Sequence, residues 1–78
     1  MDEQMGALAT ALRDRLTIIG DEASRRDPER HMARLQDVSQ RIELLEQRLA
    51  PRFDAQLRHF LQRRSYTKAL EYLEAGGA

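Results

Sequence analysis

The chain has 78 residues, with 13 Lys and Arg against 13 Asp and Glu, two His and no Cys. That length holds one small domain, and the missing cysteine excludes a disulfide, a thiolate metal site and a Cys nucleophile. No apolar run reaches the ~18 residues a membrane span needs, and the acidic start MDEQMGALAT lacks the apolar core of a secretory signal, so the expectation is a cytoplasmic protein without a membrane partner.

Ala, Leu, Arg, Glu and Gln dominate, and only four Gly and two Pro interrupt them. These are strong helix formers. Val38 is the single Val, so strands have little material. The fold class predicted is all-α.

Three breaks divide the chain. Asp27-Pro28 joins a good N-cap to the residue preferred at the first helical position. Ala50-Pro51 pushes the residue before proline out of the helical region. Ser65 offers an N-cap between Arg63-Arg64 and Tyr66. Gly76-Gly77 closes the last helix. The resulting prediction is two long helices near 3–25 and 28–49 and two short ones near 53–63 and 66–74. Gly20 is a weak point inside the first, where it either costs about 1 kcal/mol relative to Ala or ends the helix early.

The long helices carry matching apolar stripes. Leu35, Val38, Ile42, Leu45 and Leu49 alternate by three and four, with His31 one step earlier. This is the heptad spacing of a coiled-coil seam. Met5, Leu8, Leu12, Leu16, Ile19 and Ala23 form the other stripe. Folding the chain about Asp27 sets Ala23 against His31, Ile19 against Leu35, Leu16 against Val38, Leu12 against Ile42, and Met5 against Leu49. The two residue numbers in every pair have the same sum. A short turn makes its flanking helices antiparallel neighbours with this register. The prediction is an antiparallel hairpin roughly 33 Å long, at about 1.5 Å per residue. Self-pairing of the second helix explains the seam less well, because Arg34, Arg41 and Arg48 would oppose one another in an antiparallel pair.

Apolar residues remain once the hairpin closes. Ile18, Met32 and Leu44 lie beside the seam. Phe53, Leu57, Phe60 and Leu61 form a stripe on the third helix, and Tyr66, Ala69, Leu70 and Leu73 another on the fourth. Two short helices cover only part of the hairpin. A homodimer that joins two hairpins into a helical bundle is the simplest way to bury the remainder.

No catalytic motif is present, and no cofactor or metal is expected. The glycines form no phosphate loop, and the histidines fit neither H-E-x-x-H nor E-x-x-H. Asp27 and His31 are four apart and are read as a half-buried pair at the turn. His59, beside Phe60, is read as a surface or packing residue. Glu43 and Glu46 lie on the solvent side of the heptad, without the burial a carboxylate pair needs to split its two pKa values.

The C-terminal third is basic, with Arg52, Arg58, Arg63, Arg64 and Lys68 interleaved with Phe53, Phe60, Tyr66 and Tyr72. Such interleaving suits a nucleic-acid backbone, although the aromatic spacing also suits a core edged by arginine stems. Residues 65–73, SYTKALEYL, resemble part of a tetratricopeptide-type helix; the segment occurs once, without the 34-residue repeat. Arg63, Arg64, Ser65 and Lys68 form the candidate site for an anion or an acidic partner, because helix N–H groups and flanking arginines converge there. The function expected is a non-enzymatic protein–protein interaction or assembly module, homodimeric and with an unidentified protein partner. A small nucleic-acid-associated regulator is the alternative.

Overall fold

The computed structural model describes residues 3–76. The chain is all-α: α1 (Glu3–Gly20), α2 (Glu22–Arg25), α3 (Pro28–Leu49), a 3-10 turn (Ala50–Arg52), α4 (Ala55–Gln62) and α5 (Tyr66–Glu74). No strand occurs among the described residues.

α1 and α3 pack side by side as the central hairpin, α5 lies against α1, and α4 packs on α5. The core joins all four: Leu8, Leu12, Val38, Ile42, Leu49, Leu57 and Leu73 are fully buried. Met5, Phe53, Leu61, Ala69 and Leu70 complete it, with Leu16, Leu35, Phe60, Tyr66 and Tyr72 half-buried against it. The stripes read from the short helices are therefore the faces they bury.

The local signals explain the boundaries. The Asp27 carboxylate accepts from the Arg30 amide at 3.2 Å and starts α3. The Asp54 carboxylate does the same for the Leu57 amide at 2.9 Å, so α4 begins at Ala55 and Phe53 stays extended. α4 ends in a Schellman motif. The Ser65 amide donates to the Phe60 carbonyl at 2.9 Å and the Arg64 amide to the Leu61 carbonyl at 3.1 Å. Arg64 takes the left-handed conformation, φ 57°, that this motif requires. Gly76 plays the same part after α5, at φ 92°; Gly77 lies outside the described residues.

The first predicted helix is two. α1 stops at Gly20, and extended Asp21 starts α2 by accepting from the Ser24 amide at 3.2 Å. The Arg25 guanidinium donates back to the Ile19 carbonyl, which α1 leaves without a helical partner. This break resets the helical phase, so the constant-sum pairing lapses toward the turn. Ile18 is buried at 6% exposure while Ile19 is 38% exposed, the reverse of the expected order. Ala23 is exposed, and Ser24 instead meets the His31 ring, sharing a hydrogen bond of 3.0 Å between its hydroxyl and Nδ1. The Asp27–His31 side-chain pair is therefore corrected: Asp27 caps α3 and His31 turns to Ser24. Arg34 donates to the same hydroxyl at 2.9 Å and pairs with Asp21 at 3.5 Å. The turn is thus braced by polar groups, where the sequence pattern implied apolar contact.

Candidate docking surface

α5 and, through it, α4 cover one side of the hairpin, where Glu46 of α3 and Ala50 of the 3-10 turn line a cleft with Phe53, Arg58, Leu61 and Gln62. The other side is open. A groove of about 400 Å³ runs between α1 and α3, lined by Ala7, Thr10, Ala11, Leu44 and Leu45 and edged by Arg41 and Arg48. It continues through Ala7, Leu45 and Arg48 toward Glu3 and Gln4. In the other direction it continues past Arg41 to Asp14, Thr17, Ile18, Arg34 and Asp37. Three adjoining depressions thus line the α1/α3 face, of which the middle one is the apolar one.

Its floor is apolar because small residues sit on α1 where Leu sits on α3. Ala7 and Ala11 are one helical turn apart, so they share a face. Leu44 stands beside them, 54% exposed. Its walls are opposite in charge. Glu3 and Asp14 line the α1 side, with Asp21 just past its end paired to Arg34, and Arg34, Arg41 and Arg48 line the α3 side, with Asp37 as the exception. Arg41 pairs with Asp14 at 3.5 Å and with Asp37 at 3.7 Å. These pairs are exposed, so each contributes about 0–1 kcal/mol to stability. Sequence reasoning singled out Leu44 as unplaced but missed the α1 wall. The signal was there, in Ala7, Thr10, Ala11 and Asp14 recurring by three and four.

The basic joint between α4 and α5 is arranged differently. Arg63 is the C-cap of α4, and its amide donates to the His59 carbonyl at 3.1 Å. Arg64 reaches the Tyr66 hydroxyl at 3.4 Å and lies close enough to Glu46 to stabilise its charge. Ser65 is the N-cap of α5, but its side chain makes no capping hydrogen bond. Lys68 lines a shallow groove with Phe60, Glu71 and Tyr72. Arg64 and Lys68 thus border different surroundings. The remaining basic groups also have local roles. Arg58 donates to the Ala50 and Phe53 carbonyls, Arg52 donates to Gln4, and Arg15 stacks over the Tyr66 ring at 4.7 Å.

No family model, curated protein or solved structure matches this chain. No helix among the described residues is long and apolar enough to cross a membrane.

Proposed function

We propose that the chain is a non-enzymatic helical interaction module whose docking surface is the α1/α3 groove. One observation supports this reading: an apolar patch of Ala7, Ala11, Leu44 and Leu45 between α1 and α3, with Leu44 more than half exposed, that neither α4 nor α5 lines. Exposed apolar surface rimmed by charge is the usual mark of a protein-binding site. The alternative, a nucleic-acid partner on the basic C-terminal third, has less support, because Arg52, Arg58 and Arg64 each contact a neighbour within the chain.

Parallel binding measurements on two variants separate the readings. Leu44→Glu places a charge in the groove at an exposed position, and Arg63→Gln with Arg64→Gln removes the charges at the joint. Loss of association, with itself or with a captured protein, in Leu44→Glu alone supports the groove. Loss of polyanion binding in the arginine variant, with Leu44→Glu unaffected, replaces it with the nucleic-acid reading.

A further inference from the structure

We propose that the groove is filled by a second copy of this chain, related by a two-fold axis parallel to α1 and α3. The proposal rests on the docking surface argued above and names its occupant. The distribution of charge selects the axis. Rotation about an axis parallel to the helices leaves heights along them unchanged and lays each chain's α1 over the partner's α3. Along α1, residues of constant number sum share a height with those of α3, as the Arg41–Asp14 pair at 3.5 Å shows to within a residue, and Asp21, beyond the break, is level with Arg34 by their own 3.5 Å pair. Arg41 then meets the partner's Asp14, Arg34 the partner's Asp21, and Arg48 comes within a turn of the partner's Glu3.

The apolar residues agree with this placement. Leu44 falls at the height of the partner's Thr10, between its Ala7 and Ala11, so the largest exposed side chain of the groove lands on its smallest residues. Asp37 falls at the height of the partner's Thr17, one turn from the partner's Asp14, and is the one like-charge approach in this placement, beside Arg41, which pairs with it at 3.7 Å. A perpendicular axis would lay α3 on α3 and α1 on α1, opposing like charges along both walls, which is unfavourable. The area is sufficient: a face roughly 33 Å long and two helices wide is on the order of 700 Å², against about 800 Å² per partner in a standard interface. The product is a four-helix bundle in which every neighbouring helix is antiparallel.

The test uses the absence of native cysteine. Thr10→Cys and Leu44→Cys are made separately, mixed, and oxidised mildly. The proposal expects the mixed disulfide to exceed either homodisulfide at least tenfold. Sedimentation of the wild type at about 100 μM, within reach of micromolar affinity, should give a particle of twice 9.1 kDa. Its dissociation constant should rise tenfold or more between ~0.1 M and ~1 M salt, as the screening length falls from about 10 to 3 Å. Leu44→Glu should be monomeric with unchanged helicity. Preferential crosslinking of Leu44→Cys to itself, or a dimer tightened by salt, overturns the proposed axis while leaving the groove as an interface. A monomer under all conditions overturns self-occupancy, and the groove reading is then judged by capture with and without Leu44→Glu. A dimer that Leu44→Glu does not weaken overturns both.

Discussion

Glu46 and Arg64 show how single residues carry cost in this fold. Glu46 points toward the α4 cleft, and its buried Oε1 has no hydrogen-bond partner. Burial holds its carboxyl above the ordinary range; the Arg64 guanidinium opposes this and Glu43 adds to it. The folded state therefore holds the proton more tightly than the unfolded chain. Stability from this group rises as pH falls from the raised value through the ordinary 4.5, and is lost again as pH rises. Glu46→Gln should accordingly melt higher than the wild type at neutral pH, with the difference closing below about pH 4.5. Melting curves across pH check this, and a pH-independent difference would refute it. Arg64 sits in the left-handed region, which costs a non-glycine residue about 1–2 kcal/mol. Allowing for the greater chain entropy of glycine, Arg64→Gly should stabilise by roughly 0.5–1 kcal/mol in denaturant titrations. The Asp27 cap was readable because capping is local and proline follows it, whereas Asp21 and Asp54 were not read as caps and the Ser65 side chain makes no capping bond. The left-handed turn at Arg64 was not readable, since no glycine marks it.

Within the elements, the caps and contacts link neighbours in the chain. Asp54 caps α4 through one carboxylate oxygen and accepts from the Tyr72 hydroxyl of α5 through the other. Phe60 and Tyr72 meet edge to face at 5.9 Å. One carboxylate therefore starts α4 and holds α5 against it. The bond to Asp54 raises the Tyr72 pKa, since the neutral phenol is the donor. Its contribution is full below the ordinary tyrosine value of 10.0 and lost as pH rises through the raised one. Tyr72→Phe should lower the melting temperature at pH 7 and flatten its decline in alkali. At the other end, Gly20 closes α1 with open space where a Cβ would stand, and it lacks the left-handed φ found at Gly76. Gly20→Ala should therefore stabilise by about 0.4–1 kcal/mol in thermal unfolding, chiefly by restricting the unfolded chain. The helical break should persist, because it comes from Asp21 and its cap. The opposed stripes predict energetic coupling as well. Leu12→Ala and Ile42→Ala should each cost roughly 2–5 kcal/mol, and a double-mutant cycle should show non-additivity of at least about 0.5 kcal/mol. Simple additivity would mean the two side chains do not share a contact.

At the scale of the whole molecule, the sequence by itself determined the helical class, the hairpin and the apolar face of each short helix. Those properties follow from helix periodicity, capping residues and a short turn, all of which act over a few residues. Even the middle of the hairpin register was legible, because the short turn at Asp27 selects one of the alignments that two periodic stripes allow. Near the turn the reading failed. Asp21 could cap a new helix only if the chain broke there, and that break exposed Ile19 and Ala23 and turned Ser24 toward His31 and Arg34. Only the tertiary structure decided which side of the hairpin α4 and α5 would cover. Both sides of α3 offer apolar neighbours, and the side taken depends on the path of Ala50–Arg52 and on the Asp54–Tyr72 bond, which join residues far apart in the sequence. That choice left Leu44 open beside Ala7 and Ala11, between an acidic and a basic wall. The groove is a property of two helices together, so no single stretch of sequence could display it.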